Sequence, residues 1–137
     1  MLRFLAASLL ITTPAMLAIH LASYKLVQQW CAPNSSWAAR WLPPMRLLRL
    51  EAGHWVLALA AWPLWRSVAA KMLVMVFASL HLIGWIGAEF RGARLHQTFA
   101  KEPYRPVVAL GVAAFDLVEF FALLVVGWSV LNWLVSA

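Results

Sequence analysis

The chain has 137 residues, 64% of them hydrophobic and 12% charged, with a formal charge of +6. Ordinary soluble domains carry roughly 45–50% apolar and about 25% charged residues, so this balance excludes a soluble fold and indicates a polytopic membrane protein. The cations lie between apolar runs and form no long basic tract, which argues against nucleic acid as a partner; one cysteine, Cys31, excludes an internal disulfide framework and a Cys-based metal cluster.

The first apolar run, residues 4–23, follows Arg3 and is long enough to span, unlike a cleaved leader. Pro14 removes one rung of its backbone ladder, and the hydroxyl of Thr12 or Thr13 is expected to satisfy the freed carbonyl. Residues 24–46 read as a polar connection. Asn34 or Ser35 can cap a short helix there carrying Trp37, Arg40 and Trp41, and Pro43–Pro44 stops it. Tryptophan beside arginine at helical spacing places that helix among lipid headgroups. The triplet NSS at 34–36 also fits a glycosylation acceptor, which matters only in a secretory lumen.

The second span is expected over 47–65. Its strictly apolar part, 55–65, is short, so the crossing must extend back past His54, Glu51 and Arg49. Arg49 and Glu51 are then expected at the interface, where long side chains snorkel; the alternative is a re-entrant segment. A short turn, RSVAAK, leads to a third span over 72–90, and a second polar connection covers 91–106. The last apolar run, 107–136, has 30 residues. As a helix it measures about 45 Å against roughly 30 Å of hydrocarbon, so the span, 107–133, must tilt, kink or protrude. The expected fold is all-α, a four-helix transmembrane bundle forming one integral membrane domain over 1–137, with a short interfacial helix in the first connection.

Eight of the eleven cations, among them Lys25, Arg40, Arg46 and Arg49, fall in or beside the two long connections. The positive-inside rule puts those connections in the cytoplasm and both termini outside, with a bacterial inner membrane as the expected location. Trp62, Trp65, Trp128 and Trp133 then cluster at the outer ends as an aromatic belt.

Against this frame the polar residues inside the spans acquire depths. His20 and His54 lie about 7–8 Å below the cytoplasmic boundary; His81 and Asp116 lie roughly 15 Å down, with Glu119 one turn deeper. Asp116 and Glu119 share a face with Ala109, Ala113, Leu123 and Gly127, and His81 shares one with Gly84 and Ala88. Small residues let membrane helices approach closely, so the third and fourth spans are expected to pack with His81 beside the two acids.

Three functions fit these residues. The leading one is a small accessory or anchoring subunit of a larger membrane complex, not catalytic alone, with a membrane-protein partner or a second copy joined through the polar cluster Asp116, Glu119 and His81. The second is a redox subunit contacting haem b or a quinone through His20, His54 and His81, since neutral imidazole is a good axial ligand. The third is proton- or cation-coupled transport through Asp116 and Glu119. No HExxH or paired ExxH motif marks a metal site, so no metal ligand is assigned. Arg91, Arg94, Lys101, Tyr104 and Arg105 can hold anionic lipid headgroups, or simply set topology, and His96 is expected to be solvated.

Overall fold

The computed structural model describes residues 1–30, 36–91 and 104–136. Among them all regular structure is helical: α1 (Leu2–Trp30), α2 (Trp37–Trp41), α3 (Pro44–Ala60), a 3-10 turn (Trp62–Leu64), α4 (Val68–Arg91) and α5 (Tyr104–Ser136). Three helices, α1, α4 and α5, are long and apolar enough to cross a membrane, consistent with an integral membrane protein. With its 17 residues, α3 is about 25 Å long, shorter than the roughly 30 Å hydrocarbon layer.

Helix boundaries depart from the sequence expectation where polar residues sit on otherwise amphipathic turns. The last seven residues of α1, YKLVQQW, continue the helix instead of opening the connection, because Leu26 and Val27, with Ser23 a turn before, are buried on the inner face. α4 begins at Val68, inside the segment expected as a turn, with the Ala70 amide donating to Ser67 Oγ at 3.1 Å as an N-terminal cap. Pro44 starts α3 at its first position, where a missing N–H costs no bond, so the Pro-Pro pair both closes α2 and opens the next helix. Thr12 donates to the Ser8 carbonyl at 3.0 Å, not to the Leu10 carbonyl that Pro14 frees, and Thr13 Oγ1 is buried without a partner.

The short α2 is tied to the end of α1. Ser36 Oγ accepts from the Ala39 amide at 3.3 Å and donates to Gln29, while Trp30 Nε1 donates to the Leu42 carbonyl at 2.9 Å. The cap is therefore Ser36, not Asn34 or Ser35, which lie outside the described residues with Cys31. The rings of Trp37 and Trp41 are stacked and exposed, and the Arg46 guanidinium lies 5.8 Å from the Trp41 ring. Two exposed tryptophans with a cation over one of them suit a headgroup layer.

α1 packs along α5 and α3 along α4. The third and fourth spans, α4 and α5, also touch, with His81 beside Glu119 as expected, but the glycines of their small-residue stripes face other helices. Gly127 of α5 faces α1, where a Cβ placed on it would lie 3.5 Å from Thr13, and Gly84 of α4 faces Leu48 of α3. Small residues announce a close approach without naming the partner. The main apolar core, centred on Trp55, Leu64, Trp65, Phe77, Leu123 and Val126, lies toward the α3–α4 turn. A second cluster of Leu26, Leu42 and Leu47 lies under α2.

Trp65 belongs to the core and not to an aromatic belt. Its ring is buried and Nε1 donates to the Ala58 carbonyl at 2.9 Å, holding one of the carbonyls that the end of α3 leaves without a helical partner. Trp65→Phe keeps most of the packing and removes this bond. The variant is expected to lose about 1 kcal/mol of stability, read as an earlier midpoint when SDS is titrated against helical ellipticity in mixed micelles.

Candidate functional site

One polar cluster draws on all four longer helices. His20 comes from α1, Glu51 from α3, His81 from α4, and Asp116 and Glu119 from α5, and all five are buried. Helical spacing explains the contribution of α5: residues three apart share a face, so both acids turn inward together. His20 and His81, expected at two different depths, both meet Glu119 in the structure.

Glu119 is the centre. Its Oε2 lies 3.1 Å from His20 Nε2 and 3.2 Å from His81 Nε2, while its Oε1 accepts from Trp55 Nε1 at 2.5 Å. Glu51 stands further out, its two oxygens 3.9 Å from His20 Nε2 and 3.7 Å from His81 Nε2. His20, Asp116 and Glu119 each bring one ligand atom within 4.8 Å of the other two. The structure thus brings together Asp116, Glu119 and His81, joins His20 to them, and leaves His54 aside.

The tautomers follow from the backbone. His20 Nδ1 lies 2.7 Å from the Met16 carbonyl, and His81 Nδ1 lies 2.8 Å from the Phe77 carbonyl. A carbonyl oxygen only accepts, so both Nδ1 atoms carry hydrogen, and in the neutral ring each Nε2 is a bare lone pair. Two lone pairs then face one carboxylate oxygen, and His20 Nε2 and Glu119 Oε2 have no aligned hydrogen bond despite their proximity. Such an array is repulsive unless a positive species stands between its members. Among the described residues no lysine or arginine forms an ion pair with Glu51, Asp116 or Glu119. The compensating species is a proton, on an imidazole or on a carboxyl oxygen, or a bound cation.

No family model, curated protein or solved structure matches this chain. The chemistry of the cluster therefore stands on its own geometry. In metal centres the ligating histidine donates its second ring N–H to a carbonyl or carboxylate, which fixes the ring and aims the lone pair. Both His20 and His81 are held in that manner. The 3.1 and 3.2 Å separations suit either an N–H···O bond from a protonated imidazole or neighbouring ligands on one ion, and among the described residues the three close enough to share an ion are His20, Asp116 and Glu119.

His54 has a separate setting. The Thr12 hydroxyl commits its hydrogen to Ser8, so it accepts from His54 Nδ1 at 2.9 Å, and His54 Nε2 is buried without a partner. His20 and His54 therefore do not face a common ligand. Arg94, Lys101 and His96 lie outside the described residues, as do the side chains of Arg91, Tyr104 and Arg105, and with them the headgroup site expected there.

Sequence reading missed Glu51 and Trp55. Glu51 was expected at the interface with Arg49, but the two residues separate: Arg49 reaches outward to Glu89 at 2.5 Å while Glu51 turns into the bundle. The available signal was E-A-G-H at 51–54, an acid and a histidine three apart inside an expected span. Of that pair, only the acid enters the cluster. Nothing in the sequence distinguishes Trp55 from the other tryptophans.

Proposed function

We propose that this chain is a four-helix integral membrane protein, with α3 as its short fourth membrane element, whose interior holds a divalent first-row transition-metal ion. His20, Asp116 and Glu119, whose ligand atoms lie within 4.8 Å of one another, are the primary ligands, with His81 and Glu51 completing or neutralising the site. The observation that supports this best is the pinning of both Nδ1 atoms to carbonyls of their own helices, which turns both Nε2 atoms toward one carboxylate oxygen. Two imidazoles with carboxylates suit Fe(II), Mn(II) or Zn(II), and the absence of thiolate or thioether from the ligand set disfavours Cu(I). A carboxylate oxygen standing between the imidazoles disfavours a porphyrin in that space. The cluster then lies in the half of the membrane nearer α2, and the cations at that end favour a cytoplasmic side for it.

The test is metal analysis of the protein purified in mild detergent, after equilibration with Fe(II), Mn(II) or Zn(II) and gel filtration. About one ion per chain is expected in the wild type, and less than a tenth of that in His20→Ala and His81→Ala. Proton and metal compete for the same Nε2 lone pairs, so occupancy should fall as the medium is acidified from about pH 8 to about pH 5. If the wild type retains no ion, and the histidine variants only weaken the fold, the imidazoles are protonated and the cluster is an ionic clamp between helices.

A further inference from the structure

A cleft of about 270 Å³ leads from the surface to the cluster where α3, α4 and α5 meet. Leu48, Leu80 and Val112 form apolar walls, Trp30 and Phe115 supply aromatic ones, and Glu51, His81 and Asp116 stand at its inner end. Leu80 and Phe115 are exposed on the outer flank, next to the exposed Ile83 of α4, so the cleft opens sideways toward lipid. A molecule already dissolved in the membrane can reach this opening without passing through water.

The inner end selects its occupant by hydrogen-bonding sense. The carboxylates of Glu51 and Asp116 accept and do not donate, while His81 Nε2 is turned to Glu119 Oε2, 3.2 Å away. Two carboxylate acceptors suit a ligand that brings its own O–H groups. They repel a phosphate or a fatty carboxylate, and they give a carbonyl nothing to accept from. The aromatic walls suit a flat ring, and the lateral opening suits an apolar tail left in the bilayer.

From this placement we infer that the cleft binds an aromatic diol with an apolar tail, a hydroquinone-type lipid, whose hydroxyls donate to Glu51 and Asp116. The inference goes beyond the metal reading and does not depend on a bound ion, because the acceptors at the inner end exist without one.

The test uses the full chain in phosphatidylcholine nanodiscs, with decylubiquinol kept reduced under anaerobic conditions and binding followed by titration calorimetry. One saturable site per chain is expected, above partition into empty nanodiscs. Val112→Trp and Leu80→Trp, which fill the cleft from two walls without touching the acids, should each weaken binding by about tenfold or more, as should Glu51→Gln through one lost charge-assisted bond. Leu80 faces lipid, so its replacement leaves the core intact even where Val112→Trp does not. The O,O-dimethyl ether of the same quinol, which lacks both donors, should not saturate. Equal binding of the diol and its ether overturns the inference, and so does diol binding that neither tryptophan variant alters. Metal content measured on the same samples separates this outcome from that of the metal reading: diol binding by metal-free wild type sinks the ion and keeps the cleft, and a retained ion without diol binding does the reverse.

Discussion

Glu119→Ala is expected to be the most damaging single substitution in the bundle, lowering stability by about 3–5 kcal/mol and abolishing metal retention together. The side chain has no exposed surface and meets partners from three other helices: His20 on α1, Trp55 on α3 and His81 on α4. Removing it leaves the indole N–H without its acceptor and the two imidazoles without the carboxylate they face, in a medium that contains no water to replace it. Glu119→Gln separates the two consequences. The amide keeps the volume and can still accept from Trp55, so helix packing survives, but it is a poor metal ligand beside a carboxylate. Retained cooperativity in an SDS titration, with metal content near zero, is the expected pair of results for Gln. Full metal content in Glu119→Gln would show that Glu119 is not a ligand.

The residues at this centre differ in how far their sequence context gave them away. Asp116 and Glu119 stood out because carboxylates inside a long apolar run are expensive and three-residue spacing puts them on one face. Glu51 did not, because it sits near the start of α3 beside Arg49, where an acid and a base together read as an interfacial pair. Helix tilt decides between those positions, and tilt is a property of packing that no single segment encodes. The same limit explains the partners of the glycines. The stripe from Ala109 to Gly127 marked a close approach, yet whether Gly127 meets α4 or α1 depends on how four helices share the available faces. The long apolar helices were the most legible part, since the hydrocarbon thickness sets their length almost independently of their neighbours. Their ends were less so: α1 runs on to Trp30 through turns in which Tyr24, Lys25 and Gln28 are exposed while the backbone remains helical.

Trp55 shows how the site is held, and its replacement separates positioning from ligation. The indole is fully buried, stacked on Phe77 at 5.2 Å between centroids and on His81 at 6.3 Å. Its N–H occupies Glu119 Oε1, which leaves Oε2 for the two imidazoles. One oxygen is used for orientation and the other for binding, as in metal sites where an outer hydrogen bond fixes an inner carboxylate. Trp55→Ala removes ring and bond together and is expected to cost about 3–5 kcal/mol. Trp55→Phe keeps the stack on Phe77 and His81 but frees Oε1. Metal affinity should then fall about 10–100-fold, while the fold loses only about 1.5–3 kcal/mol for one hydrogen bond to a charged group. A protonated clamp behaves differently, because imidazolium and carboxylate attract over a range of orientations and lose little when Oε1 is released. The decisive comparison is therefore the ratio of effects in Trp55→Phe. A large drop in affinity with a modest drop in stability assigns Trp55 to the metal site as a positioning residue. A drop in stability without any change in retained metal assigns it to the core alone.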